Sequence, residues 1–411
     1  MTNELKNVPE LRFPEFDGEW EERNLEEVSN KVTEKNRSNE LSETFTNSAE
    51  YGIISQQDYF DKAISNEKNL SNYYIVKKDD FVYNPRISNF APVGPIKRNK
   101  LNRSGLMSPL YYVFRTFNIN MDYIGTYFET FYWHKFMKLN GDSGARSDRL
   151  AIKDSVFQTM PIPYPIIEEQ QKIGEFFSKL DQQIELEEQK LAKLEEQKKG
   201  YMQKIFSQEL RFKDENWEDY PEWEIKKLDE LGEFNSGVGF PEKYQGGNTG
   251  IPFFKVSDMN LLGNEKFMNT ANNYVSIEQI KQKKWKVIQN VPAIIFAKVG
   301  AAIMLNRKRM ILNPFLIDNN TMSYSFSNHW DTNFGHVVFQ TLNLPKYAQV
   351  GALPSYNSKD IGIIQIRLPI KEEQEKIGDF FSKLDELINK QNQKIDGLKK
   401  RKQGFLQKMF V

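Results

Sequence analysis

Between Phe81 and Met121 the chain has no aspartate or glutamate, yet holds Arg86, Lys97, Arg98, Lys100, Arg103 and Arg115. A second acid-free window, Gln279 to Ile317, holds Lys281, Lys283, Lys284, Lys286, Lys298, Arg307, Lys308 and Arg309. With 27% charged residues overall, a window of about 40 positions should carry roughly five acids. Lysine and arginine neutralise phosphates, and the Asn, Ser, Tyr and Arg between them can read base edges. Chance or burial gives the same pattern, so charge alone leaves both readings open. Arg146 and Arg149, in GDSGARSDRL, either contact phosphate through a glycine-rich turn or cap a loop.

Other chemistry is missing from the sequence. There are no cysteines, which removes disulfides, thiolate metal sites and cysteine nucleophiles. His134, His329 and His336 lack metal-ligand spacing. No phosphate-binding GxxxxGK[ST] or post-strand GxGxxG occurs, and Asn84-Pro85-Arg86 and Asn313-Pro314-Phe315 each lack the second proline of an amino-methyltransferase loop. Basic and acidic residues balance at 56 each, so any nucleic-acid footprint must be local. No apolar run approaches the roughly 20 residues of a membrane span, and the polar start does not resemble a signal peptide. The expectation is a non-catalytic cytoplasmic protein that holds no metal and contacts no membrane.

The elements that must position the basic residues are written twice. Glu168 opens EEQQKIGEFFSKLD and Glu372 opens EEQEKIGDFFSKLD, with 12 of 14 positions identical at an offset of 204. The register runs without a gap to Phe206 and Phe410, giving 21 identities in 39 positions. Glu10-Leu11-Arg12-Phe13 recurs as Glu209-Leu210-Arg211-Phe212, and Trp20 as Trp223. The order is lead segment, variable region, helix, and the same again.

In the first repeat Ile173, Phe177, Leu180, Ile184, Leu191 and Leu194 fall at alternating steps that make a heptad seam. In the second they are Ile377, Phe381, Leu384, Ile388, Ile395 and Leu398. Polar residues break both seams at the same two places, Glu187 and Lys198 against Gln391 and Lys402. A 39-residue helix is a rod of roughly 58 Å, too long to bury its stripe in a small domain. Its own repeat is the expected partner, antiparallel and with pseudo-twofold symmetry; two separate homodimeric coiled coils are the alternative. Gly174, Gly200, Gly378 and Gly404 read as soft spots in the helices.

The two variable regions read as mixed α/β, with strands in Val76–Asn84, Pro109–Phe117, Pro292–Gly300 and Thr321–Phe326. A helix is expected between Asp122 and Leu139, and its counterpart between Asp331 and Leu342. The predicted division is a first variable domain with its lead segment over 1–160, a long repeated helix over 161–208, a second domain over 209–365 and a second long helix over 366–411. The fold class is α+β.

The duplicated proline–EEQ–KIG–FFSKLD helices, alternating with divergent domains, resemble the specificity subunit of type I restriction–modification enzymes. PELRFPEFDGEW and its echo ELRFKDENWEDYPEW are similar to that family too, particularly its staphylococcal-like, Gram-positive members. The resemblance spans essentially the whole chain. It implies two target recognition domains, each reading half of a bipartite, asymmetric double-stranded DNA site. It implies spacer helices that fix the gap and dock two modification subunits, and restriction subunits that join them. S-adenosylmethionine, ATP and Mg would belong to those partners. The rival readings are a coiled-coil adaptor that binds proteins, and a single-chain nuclease or methyltransferase, for which 411 residues leave no catalytic domain.

Overall fold

The computed structural model describes residues 7–59, 67–142, 148–349 and 353–411. They form two compact units: the chain up to Lys190 together with Gln391–Val411, and Leu191–Lys390. These units divide each long helix internally, whereas the sequence-based boundaries fell at the helix ends.

The first unit is built on a four-stranded antiparallel sheet in the order Ser29–Lys31, Tyr112–Thr116, Phe81–Tyr83, Ile96–Arg98. Phe81 faces Phe114 and Tyr83 faces Tyr112 across the central pair. Side chains alternate between the faces of a sheet. Phe81, Tyr83, Tyr112 and Phe114 therefore enter a core with Phe128 and Phe157, while Val82 and Val113 enter a second one with Phe45 and Met107. Burial on both faces explains why this strand reads as an unbroken apolar run. The expected strand Val76–Asn84 is two strands, Tyr74–Val76 and Phe81–Tyr83. A turn separates them, with Asp79 at φ 68° and the Asp80 carboxylate accepting from the Lys77 N–H.

The second unit repeats the sheet order with different residues: Gly232–Ser236, Thr321–Phe326, Ala293–Ala297, Lys308–Ile311. It adds a three-stranded sheet, Tyr274–Val275, Ile251–Phe254 and Leu316–Ile317. In each unit a two-stranded ribbon joins the start of the domain to its end: Glu21–Asn24 pairs with Pro161–Tyr164, and Glu224–Lys227 with Gln365–Leu368. Such a ribbon returns the chain to where it began, so the following helix starts beside the lead segment.

The expected helix Asp122–Leu139 is two, Met121–Tyr127 and His134–Asn140. Its counterpart is the single helix Thr332–Thr341. The long helices run over Ile167–Phe206 and Lys371–Lys408. Within the first unit they pair antiparallel: Phe176, early in one, meets Phe405, late in the other, at 5.0 Å. Within the second unit Tyr201 meets Phe380 in the same sense at 5.1 Å. Ile173, Phe177, Leu180, Ile184, Ile377, Phe381 and Ile395 are buried, and Leu191, Leu194, Leu384, Ile388 and Leu398 are half-buried, as a seam requires. No helix among the described residues is long and apolar enough to cross a membrane.

Candidate nucleic-acid interface

Each domain is fixed to its helix by the repeated sequence words. Glu169 is fully buried and receives the Arg12 guanidinium on both carboxylate oxygens, at 2.8 and 2.7 Å, with the Trp20 indole N–H at 3.2 Å. In the second unit Glu373 receives Arg211 at 3.2 and 2.8 Å and Trp223 at 2.9 Å. A buried carboxylate is tolerable only when paired and hydrogen-bonded in this way. The next residue reaches the domain: Gln170 accepts from the Asn120 N–H at 2.9 Å, and Gln374 from the Asp331 N–H at 2.8 Å. Asn120 and Asp331 are the N-caps of the domain helices.

Gly174 and Gly378 face those same caps. A Cβ on Gly174 would lie 2.8 Å from Asn120 Oδ1, and one on Gly378 2.5 Å from Asp331 Oδ1. These two glycines are close-packing positions rather than the soft spots expected. Gly200 and Gly404 have open space where a Cβ would be. The sequence displayed every participant twice, but not that the repeated Arg and Trp grip the repeated Glu; their recurrence in the same order ahead of each Glu was the available signal.

The polar seam positions are partnered. In the first unit Lys402 bridges Glu129 at 2.6 Å and Asp181 at 2.5 Å. Burial lowers the Lys402 pKa, but the two carboxylates outweigh it and hold the ammonium charged. In the second unit the equivalent pair is Lys198 with Asp385 at 2.6 Å, joined by Lys266 at 2.8 Å. Burial pushes the Asp385 carboxyl up, and the two lysines more than reverse it.

The predicted DNA contacts divide into committed and free groups. Arg98 is 14% exposed and bonds Asp122 at 2.6 Å, and Arg103 forks onto Glu43 at 2.8 Å through two nitrogens. Arg115 forks onto the buried Asp80 at 2.6 and 2.9 Å. Lys308, one of the candidate DNA contacts, is not a surface cation. It is buried, its Nζ donates to Leu342 O at 2.6 Å and Asn306 Oδ1 at 3.0 Å, and burial lowers its pKa to about 8. Arg309 is half-buried and donates to Lys308 O at 3.1 Å, and burial lowers its pKa first, with Arg307 adding to the shift. Arg307 bonds Asn260.

Other cations are less engaged. Lys97 is half-buried and Lys100 exposed, and neither makes an ion pair among the described residues. Lys281 and Lys284 are exposed, Lys284 closing the helix Ile277–Lys283 in the left-handed conformation at φ 55°. Lys283 is half-buried with its Nζ 4.8 Å from the centre of the Tyr244 ring, and Lys298 is half-buried. Arg86 is largely exposed, 3.9 Å from Asp148, and Arg149 is half-buried opposite it. Arg146 lies outside the described residues. Among the described residues no group of three or more His, Cys, Asp and Glu side chains converges as a metal site would.

Comparison with known proteins places this architecture. The sequence model of the type I restriction modification DNA specificity domain matches twice, over residues 17–196 and 220–400. The chain is 26% identical over 228 residues to the type I restriction enzyme MjaIX specificity subunit of Methanocaldococcus jannaschii, covering 53% of this chain and 47% of that protein. It is 23% identical over 267 residues to the MjaVIII specificity subunit of the same organism, covering 61% of this chain and 62% of that one. The matches thus span about half to three-fifths of these relatives. The type I restriction-modification S subunit from M. genitalium shares the fold at a TM-score of 0.57 and 13% identity, over 98% of this chain and 99% of that one. A chain solved in a study of complex assembly and conformational transition of the type I R-M system gives 0.58 and 16%, over 95% and 97%. With both repeats matched across most of its length, the chain belongs to the type I restriction modification DNA specificity domain family.

Proposed function

We propose that this chain is the non-catalytic specificity subunit of a type I restriction–modification complex. Each recognition domain, 1–160 and 209–365, reads one half of a bipartite asymmetric site in double-stranded DNA. The spacer helices, 161–208 and 366–411, set the distance between the halves. They also dock two modification subunits, which use S-adenosylmethionine to methylate adenine. Restriction subunits, with ATP and Mg, join them and cut unmodified DNA. The assembly would work in the cytoplasm.

The observation that supports this most is the constancy of the mount and the divergence of what it carries. Two domains with one sheet order and different residues are each gripped by the same Arg–Glu–Trp contact. Two different readers on equivalent mounts suit two different half-sites. Phosphate contacts fall to the uncommitted cations, foremost Lys97, Lys100, Lys281 and Lys284, with Lys283 and Lys298 beside them.

The test is methylation-sensitive sequencing of DNA from cells expressing this chain with its companion subunits. Adenine methylation at a split, asymmetric motif is expected, and replacing residues 232–355 with another member's region should change one half-site only. No motif with active companions would favour a protein-binding adaptor; a change in both halves would defeat the modular reading.

A further inference from the structure

Arg86 and Arg149 stand directly opposite each other on an antiparallel bridge. The flanking bonds Ile87 N–H to Asp148 O, at 3.0 Å, and Leu150 N–H to Pro85 O, at 2.9 Å, fix the two backbones. Like charges held across such a pair repel. Arg98, Arg103 and Arg115 each have a carboxylate oxygen within 2.8 Å. Among the described residues Arg86 has only Asp148 at 3.9 Å, with both side chains more than half exposed, a geometry of little worth in water. Arg149 makes no ion pair among the described residues. Among the described residues the bridge leaves two guanidinium groups side by side in the chain pairing with no close carboxylate, open to an anionic or acceptor-rich ligand.

The surroundings say which kind. The two arginines border an open cleft of about 570 Å³ whose wall carries Asn47, Asn84 and Tyr111. Phe90, 82% exposed, stands at its lip. The Asn84 side chain organises the wall, donating to Asn47 O at 2.9 Å and accepting from the Arg86 N–H at 3.0 Å. Asn47 is 2% exposed; its Nδ2 is committed to Val82 O at 2.7 Å and Pro95 O at 3.2 Å, while its Oδ1 has no partner among the described residues. Glu50 also lines the cleft, but the cleft's amides, hydroxyls, aromatic face and two guanidinium groups without a close carboxylate among the described residues match nucleobase edges beside a phosphate backbone.

We propose that Arg149 is the base-reading residue of the first recognition domain, that it recognises a guanine in the first half-site, and that Arg86 holds a neighbouring phosphate. Arg149 is half-buried in the cleft wall between fixed backbones, which suits a directional fork onto guanine O6 and N7. Arg86 lies at the rim with two-thirds of its side chain in solvent, which suits the backbone. The assignment rests on the proposed function and deepens it.

The test uses the full complex with its modification subunits, and competition binding against DNA duplexes carrying single base-pair changes in each half-site, at two salt concentrations. Arg149→Ala is expected to erase about ten- to hundredfold discrimination at one G·C position of the first half-site and none in the second. Arg149→Lys, which keeps the charge but not the fork, should fail to restore it. Arg86→Ala should weaken all duplexes alike and reduce the salt slope by about one. The assignment is overturned if Arg149→Ala leaves discrimination unchanged, weakens all duplexes uniformly or alters the second half-site, or if the first half-site lacks a G·C pair. A wild-type complex with no sequence preference overturns the functional proposal as well, whereas a wild-type preference untouched by Arg149→Ala overturns this assignment alone.

Discussion

Gln391 donates its side-chain amide to two oxygens of Glu187, the carboxylate at 2.7 Å and the backbone carbonyl at 2.8 Å, and the two residues occupy the same position of the two repeats, 204 apart. Lys190 and Lys394, again repeat mates, both reach the Glu187 carboxylate, at 2.9 and 3.0 Å. In an antiparallel pair of repeats one position must meet its own copy. Duplication would have placed identical residues there, and two glutamates would repel. The Glu–Gln difference turns that meeting into a charge-assisted hydrogen bond available only when the first repeat pairs with the second. It favours pairing within one chain over the two-homodimer arrangement.

Gln391→Glu should therefore lower thermal stability, and Glu187→Gln should restore part of the loss in the double variant. The Gln391 amide, with Lys190 and Lys394, holds the Glu187 carboxyl down at about 2. A carboxyl depressed in the folded state stabilises above its unfolded value, near 4.3, and that contribution fades as pH falls toward 2. The melting-temperature gap between wild type and Glu187→Gln should hold from pH 7 to about 5 and close below pH 4. A gap independent of pH would show that the charge is not what matters.

The helix mounts predict a second effect. Removing one partner of a buried ion pair leaves the other uncompensated, at about 3–5 kcal/mol. Glu169→Ala strands Arg12 and the Trp20 N–H, and Glu373→Ala strands Arg211 and the Trp223 N–H. Chemical denaturation should show both losses, with the Gln variants milder because they keep an acceptor. Near-wild-type stability of the Ala variants would mean the mount lies elsewhere.

The helix glycines give opposite signs. Gly174→Ala drives a methyl to 2.8 Å from Asn120 Oδ1 and 3.0 Å from the Tyr123 backbone nitrogen, so a loss of about 1–3 kcal/mol is expected. Gly200→Ala meets nothing within 4 Å and gains helix propensity, up to about 1 kcal/mol. Equal effects at the two sites would contradict the packing described.

What was legible in the sequence follows from the range over which the physics acts. The seam was readable because a 3.5-residue period writes burial directly into spacing, and Ile173, Phe177, Ile377 and Phe381 are buried as that period requires. The acid-free windows do not show which cations are paired, because windows are counted along the chain and charges pair across space. Glu43 lies outside the first window and reaches Arg103, and Asp122 and Asp80 flank its two ends and reach Arg98 and Arg115. The common sheet order was invisible for a related reason. Strand pairing such as Phe81 with Phe114 and Ile294 with Tyr324 joins distant residues, and these tolerate wide substitution while the order persists.

That distinction yields the last prediction. If the proposed function holds, cations already committed to the fold contribute little to DNA affinity and uncommitted ones contribute measurably. The Lys97→Ala, Lys100→Ala double variant should weaken DNA binding at every sequence and flatten the salt slope by about two, one for each released phosphate contact. Lys308→Met should leave affinity and slope unchanged, because its ammonium is buried against Leu342 O and Asn306 Oδ1. It should instead alter stability with pH. Burial holds Lys308 at about 8, below its unfolded value near 10.4. The unfolded state therefore keeps a proton that the folded state has lost, and wild-type stability gains from this site as pH rises from 8 to 10. Lys308→Met should lack that gain. A weakened salt slope in Lys308→Met, or none in the Lys97, Lys100 pair, would mean that the cations meeting DNA are not those the fold leaves free.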